Sequence, residues 1–255
     1  MLLRVDIGWL IATGLLSLRV AAATVLAPVF GPTQIPGTVR VFLALALSAM
    51  LVATLPVPTS SITSMAGLGA AALSELLIGA SLSFGFLAAY AATQVTGRIL
   101  DTQIGFGVAA VLNPTTRGFG PLLGTMLGFA AIAVFLAMDG HHVLIRALAL
   151  SAQSNPPGDV VHEVDWEAVF RQSGVMFTFG TALAAPVMLA LLLADISMSV
   201  LARSMPSLNV FVLSFAVKAL LGLTALAVSV RLAGPLLAAL YGETYHYWDR
   251  MVGGH

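Results

Sequence analysis

Apolar residues run in long blocks along this chain: Ile7–Val29, Val41–Leu55, Met65–Ala92, Leu122–Ala137, Val175–Ala194 and Val210–Leu240. A helix needs roughly 20 such residues to cross a bilayer, and several blocks approach or exceed that length. The period-two alternation of a membrane barrel is missing. The pattern predicts an all-α membrane protein built of helical hairpins. Polar and helix-breaking residues fall between the blocks. Pro28, Gly31, Pro32, Pro36 and Gly37 separate the first two, and Pro56, Pro58, Ser60, Ser61 and Thr63 make the next turn. Asp139-Gly140-His141-His142 divides the fourth block from a shorter segment, Val143–Ala152, and Asn155-Pro156-Pro157-Gly158 follows it. One long helical hairpin is predicted beyond this: a helix from about Glu167 to Ser204, a turn at Met205-Pro206-Ser207, and a helix to about Leu240. Tyr241, Tyr245, Tyr247 and Trp248 come next, as expected where a helix leaves the apolar layer.

Composition agrees with the pattern. Of 255 residues, 59% are hydrophobic and 9% charged, against about 25% charged in a soluble domain. The net charge is zero and basic residues are scattered, which argues against nucleic acid as a partner. There is no cysteine, hence no disulfide framework, thiol catalysis or cysteine metal site. The first block resembles a signal peptide, with Arg4 ahead of it and Ala21-Ala22-Ala23 near its end. Arg19 lies inside its apolar core, so a retained helix is expected. Arg40, Arg98, Arg117 and Arg203 fall on different sides of a simple up-and-down topology, so the positive-inside rule gives no coherent orientation. Four of the eleven acids, Asp159, Glu163, Asp165 and Glu167, cluster in one stretch. Their spacing fits no calcium loop, so they read as a solvated connector.

Charges within apolar blocks are the candidates for chemistry, because each costs roughly 2.5–3.5 kcal/mol at a bilayer centre. Arg19, Glu75, Asp195, Lys218 and Arg231 qualify. They could form a proton or ion relay, but no series of acids or histidines lies along one path, and structural pairing is the preferred reading. Asp195, Ser199 and Arg203 share one helical stripe. Asp195 and Lys218 lie at similar distances from the predicted turn, so a buried pair between them is expected. His141-His142 invites a metal reading. Adjacent helical residues diverge by about 100° and no third ligand stands at metal-site spacing, so neither metal nor cofactor is expected. No H-E-x-x-H, G-x-S-x-G or G-x-x-x-x-G-K sequence occurs, and nothing points to an enzyme.

The stretch GFGVAAVLNPTTRGFGPLLG, residues 105–124, is too apolar for an ordinary loop and too rich in glycine and proline for a spanning helix. From its end onward, Gly120, Gly124 and Gly128 recur every four residues, a face that lets helix backbones pack closely in lipid.

The tail carries Pro186, Asp195, Arg203, Pro206, Asn209-Val210-Phe211 and Lys218. The middle carries Asp101, Gly105-Phe106, Asn113-Pro114, Gly140-His141, Ser151 and Pro156-Pro157, and the start Arg19, Pro28, Gly31, Pro36 and Arg40. Taken jointly, these residues resemble the FliR family of flagellar type III export-gate proteins. Ser207 stands where the family often has glutamine, and Asn113 where aspartate is common. The virulence-type homologue shares the tail, but Gly140-His141-His142 looks more like the flagellar branch. The resemblance implies a FliP-like helical part over residues 1–158 and a FliQ-like hairpin over 159–255. It implies a closed channel formed with FliP and FliQ in the bacterial inner membrane at the flagellar basal body. FlhA and FlhB complete the apparatus, and unfolded rod, hook and filament proteins pass through. Arg19, Glu75, Asp195, Arg203, Asn209 and Lys218 would serve assembly. Gly105, Phe106, Gly107, Val108, Val111, Leu112, Asn113, Pro114 and Phe119 would form a plug that blocks ions by excluding water. A small-solute transporter is the competing class, but it would need a repeated half around a polar central site, and none is visible.

Overall fold

In the computed structural model, residues 7–26, 36–55, 64–106, 121–159, 165–205 and 209–253 are described. Among them the regular structure is entirely helical: α1 (Ile7–Val25), α2 (Gly37–Thr54), α3 (Met65–Ile104), α4 (Leu122–Ala137), α5 (Gly140–Ser154), α6 (Trp166–Ser204) and α7 (Val210–Gly253). Five are long and apolar enough to span a membrane, and six spans result if α4 and α5 act as one broken segment.

Besides α6, whose extension beyond its block was expected, two helices outrun their apolar blocks. α3 continues from Ala92 to Ile104 because Thr93, Thr96, Leu100, Asp101 and Ile104 form a buried stripe at helical spacing. α7 continues past Leu240 to Gly253 because Tyr241, Thr244, Tyr247, Trp248 and Val252 form another. The predicted end at Leu240 is therefore corrected, and the aromatic residues lie within the helix. At about 1.5 Å per residue, α3, α6 and α7, with 40, 39 and 44 residues, each run to about 60 Å. That is about twice the thickness of a bilayer's hydrocarbon core.

The chain divides into two compact units that interleave along the sequence. The first comprises Met1–Ala88, Asp139–Ser173 and Tyr241–His255. Here α1 packs on α2, and the end of α7 docks on α3. Trp248 Nε1 donates to the Leu82 carbonyl at 2.6 Å, and the Tyr247 hydroxyl to that of Ser81 at 2.8 Å. Gln172 Nε2 donates to the next carbonyl site, Gly85, at 3.2 Å. Phe86 stacks on Tyr241 with centroids 6.1 Å apart. Tyr247 and Trp248 thus bury their rings while their polar tips find acceptors. Burial also pushes the Tyr241 and Tyr247 hydroxyls well above the usual tyrosine pKa.

The second unit comprises Ala89–Met138 and Gly174–Leu240. Its core joins Leu100, Ile104, Leu123, Ala184, Val187 and Leu191. α3 and α4 meet backbone to backbone: a Cβ on Gly97 would run into the main chain of Gly124 and Leu123. Polar side chains secure this contact. Gln94 Nε2 donates to the Gly124 carbonyl at 2.9 Å, and Thr96 Oγ1 to that of Gly180 at 2.8 Å. Both Asp101 carboxylate oxygens accept from the Leu123 amide at 3.2 Å. Pro121 lies at the N-cap of α4 without a side-chain cap, so Asp101 caps that helix from α3, where a negative charge suits the dipole.

Candidate functional site

The charges picked out in the apolar blocks resolve into two ion pairs of opposite character. Arg19 and Glu75 are fully buried. Arg19 Nε donates to Glu75 Oε2 at 2.7 Å and its Nη2 to Oε1 at 3.1 Å, a bidentate fork. The remaining donors reach Ser151 Oγ at 3.1 Å and the Asn155 carbonyl at 2.9 Å. One guanidinium therefore ties α1, α3 and α5 together with the residue that ends α5. Buried charge is tolerated only when paired and hydrogen-bonded in this way. Gly79 on α3 makes room for the approach, since a Cβ there would strike the Arg19 carbonyl.

Asp195 and Lys218 form the second pair, with Nζ 2.6 Å from Oδ1. Their side chains are 40% and 24% exposed, so the pair joins α6 to α7 but is half open rather than buried as expected. The surface around it is unfinished. Only 11% of the Val212–Arg231 window is buried within the chain, and 22% of that of α6. Arg203 and Arg231 are exposed, and Arg203 makes no ion pair among those the structure gives. Asn209 is exposed too, and its Oδ1 accepts from the Val212 amide at 3.4 Å at the start of α7.

Of the plug residues, Gly105 and Phe106 are described. Gly105 ends α3 with φ of 102°, a conformation that L side chains rarely adopt. Phe106 packs on the core around Leu100 and Leu191. Gly107, Val108, Val111, Leu112, Asn113, Pro114 and Phe119 lie outside the described residues, as does Gly120 of the glycine face. Gly124 and Gly128 face α3, against Gln94 and Tyr90.

A third cluster was not expected. Asp139, at the N-cap of α5, brings its Oδ1 within 3.3 Å of His142 Nδ1. With His141, these residues place donor atoms within 4.8 Å of one another. Ideal helical directions set adjacent histidines about 100° apart, and Asp139 stands at no metal-site spacing from them. Asp139 instead holds the left-handed conformation, φ 56°, which bends the chain ahead of α5's first turn. Asp101 and Gln172 were also missed as structural residues. Each acts on a backbone group remote in sequence, which no local spacing signals.

The fold and its ion pairs define a multi-pass, all-helical membrane protein whose outer helices are left partly uncovered. The chain belongs to the bacterial export proteins, family 1, whose family model matches residues 10–244. This is a family of export-apparatus components, and the chain is not an enzyme. It is 28% identical over 228 residues to the flagellar biosynthetic protein FliR of Pectobacterium carotovorum subsp. carotovorum, covering 89% of this chain and 87% of that one. It is 30% identical over 221 residues to FliR of Caulobacter vibrioides, covering 83% and 85%. It is also 30% identical over 152 residues to Yop proteins translocation protein T of Yersinia pestis, covering 56% and 58%.

Proposed function

We propose that this chain is the FliR-type subunit of a flagellar type III export gate in the bacterial inner membrane, at the flagellar basal body. It packs with FliP-like and FliQ-like subunits into a closed helical channel for unfolded rod, hook and filament proteins, alongside FlhA and FlhB. Residues 1–158 would be the FliP-like part and 159–255 the FliQ-like hairpin. The half-open Asp195–Lys218 pair carries this reading, set on helices whose apolar faces the chain itself leaves bare. Such a surface calls for neighbouring protein helices. The 60 Å helices also support a body that extends beyond the hydrocarbon layer. The flagellar branch is favoured over the virulence branch by the share of chain matched, 69–90% against 56%.

Residues 105–119 would plug the channel. The observation behind this is the break at Gly105: α3 stops at a glycine-only conformation, Phe106 anchors the exit, and a mostly apolar segment follows. Co-expression with FliP-like and FliQ-like partners should yield a large helical hetero-oligomer, whereas the chain alone should aggregate or be degraded. A stable monomer indifferent to partners would overturn the assembly reading. Deleting Val108–Leu112 should leave the assembly intact and raise its conductance in a planar bilayer. A deletion complex of normal size without added conductance would overturn the plug.

A further inference from the structure

We propose that Asp139, His141 and His142 bind a first-row divalent metal ion of the zinc class at the amino end of α5. Two imidazoles and a carboxylate form a donor set suited to zinc, cobalt or nickel rather than to magnesium or calcium. A tetrahedral zinc with bonds of 2.0–2.1 Å places its ligands roughly 3.3 Å apart. Asp139 Oδ1 and His142 Nδ1 already stand 3.3 Å apart. Since all three donors lie within 4.8 Å, His141 must close on them by at most about 1.5 Å, from the same tetrahedral spacing. The side chains of Asp139 and His142 are 74% and 70% exposed, so they are free to make that adjustment.

Three further features favour a metal over a simple Asp139–His142 ion pair. His141 Nδ1 is buried without a hydrogen-bond partner, an arrangement that ordinarily costs about 1–3 kcal/mol. The ion pair leaves this atom unexplained, whereas a cation beside the ring gives it a role. The two imidazole rings also lie 4.1 Å apart between centroids. One metal ion accommodates both rings as neutral ligands. Finally, Asp139 does not use its carboxylate as an N-cap residue normally does. The amides of His142 and Val143 bond instead to its main-chain carbonyl, at 2.9 Å and 3.3 Å. The side chain is therefore left to reach His142. Three protein ligands leave the fourth position open on the exposed side.

The test uses the full chain, purified in detergent with its co-expressed partners and stripped of metal. Cobalt(II) titration should give one intense visible d–d band per chain, characteristic of tetrahedral coordination, and zinc should abolish it. Asp139→Asn keeps a residue that tolerates the left-handed conformation, and His142→Gln alters an exposed side chain, so both variants should assemble normally. Each should weaken binding at least about 10-fold, whereas His246→Gln, an exposed histidine elsewhere, should not. Absence of the band overturns the proposal, as does binding unchanged in the Asp139→Asn/His142→Gln double variant or weakened equally by His246→Gln.

Discussion

Replacing Glu75 by methionine removes one half of a pair that no solvent reaches. Arg19 would lose two of its four hydrogen bonds and keep those to Ser151 and the Asn155 carbonyl. A guanidinium does not shed its proton, so its charge stays buried without a counter-ion. Breaking a buried pair from one side costs about 3–5 kcal/mol, which for a chain of this size corresponds to a fall in Tm on the order of 10 °C. Arg19→Met should cost less, because a carboxylate left in an apolar site can take up a proton. The double variant removes both charges. It leaves the Asn155 carbonyl without its donor, while Ser151 Oγ still donates to the Leu148 carbonyl at 2.8 Å. Its expected cost is about 1–2 kcal/mol, that of one unsatisfied acceptor. The assay is the temperature at which the assembled chain leaves its size-exclusion peak in detergent, with Trp248 fluorescence reporting on the same unit. A double variant as unstable as the two single losses added together would refute the pairing argument. A Glu75→Met loss under about 1 kcal/mol, far below that range, would refute the burial argument.

Four other changes test the packing. Gly97→Val should separate α3 from α4, at or above the upper end of the 1–3 kcal/mol range for overpacking, because its Cβ meets main chain that cannot yield. Gly14→Ala, with open space around it, is the matched control and should raise Tm slightly. Tyr247→Phe removes the hydroxyl bonded to the Ser81 carbonyl and should cost about 1 kcal/mol, leaving the edge-to-face contact with Phe84 in place. Gly105→Ala forces a side chain into a strained backbone, with an expected cost of about 1–3 kcal/mol. Thermal shift of the assembled complex measures all four.

The spans were legible in the sequence because each is one apolar block, and hydropathy alone marks them. Helix ends were not, wherever the buried stripe is polar or aromatic. Thr93–Ile104 and Tyr241–Val252 look like exits from the membrane, yet they stay helical because one face remains covered. Asp195 and Lys218 could be paired by counting residues from a short turn. Arg19 and Glu75 stood out singly, but they lie 56 positions apart with no hairpin to fix their register. The role of Asp101 was invisible, since it caps a helix other than its own. The Asp139 cluster was hidden by a left-handed residue, a backbone choice that aspartate permits without advertising.

Bare apolar helix faces do not by themselves require a protein neighbour, because lipid tails satisfy them as well as leucine does. The Asp195–Lys218 pair provides the test. An ion pair 40% and 24% exposed on such helices would meet hydrocarbon in a lone chain and water or partner side chains in an assembly. Replacing both residues with apolar ones, Asp195→Leu with Lys218→Met, should therefore have opposite effects in the two settings. For the lone chain in lipid vesicles, exchange of an ion pair for packed hydrophobic groups is neutral or stabilising, by up to about 4 kcal/mol. For the assembly, the change deletes whatever a neighbour contributes to the pair, and the yield of hetero-oligomer should fall. The single changes Asp195→Asn and Lys218→Met should each impair assembly further, since each leaves one charge uncompensated. The measurements are protease resistance of the lone chain in vesicles and the yield of co-purified complex. A doubly substituted chain that assembles like the native one would show that the pair serves only the α6–α7 hairpin, and the partner surface would have to lie elsewhere.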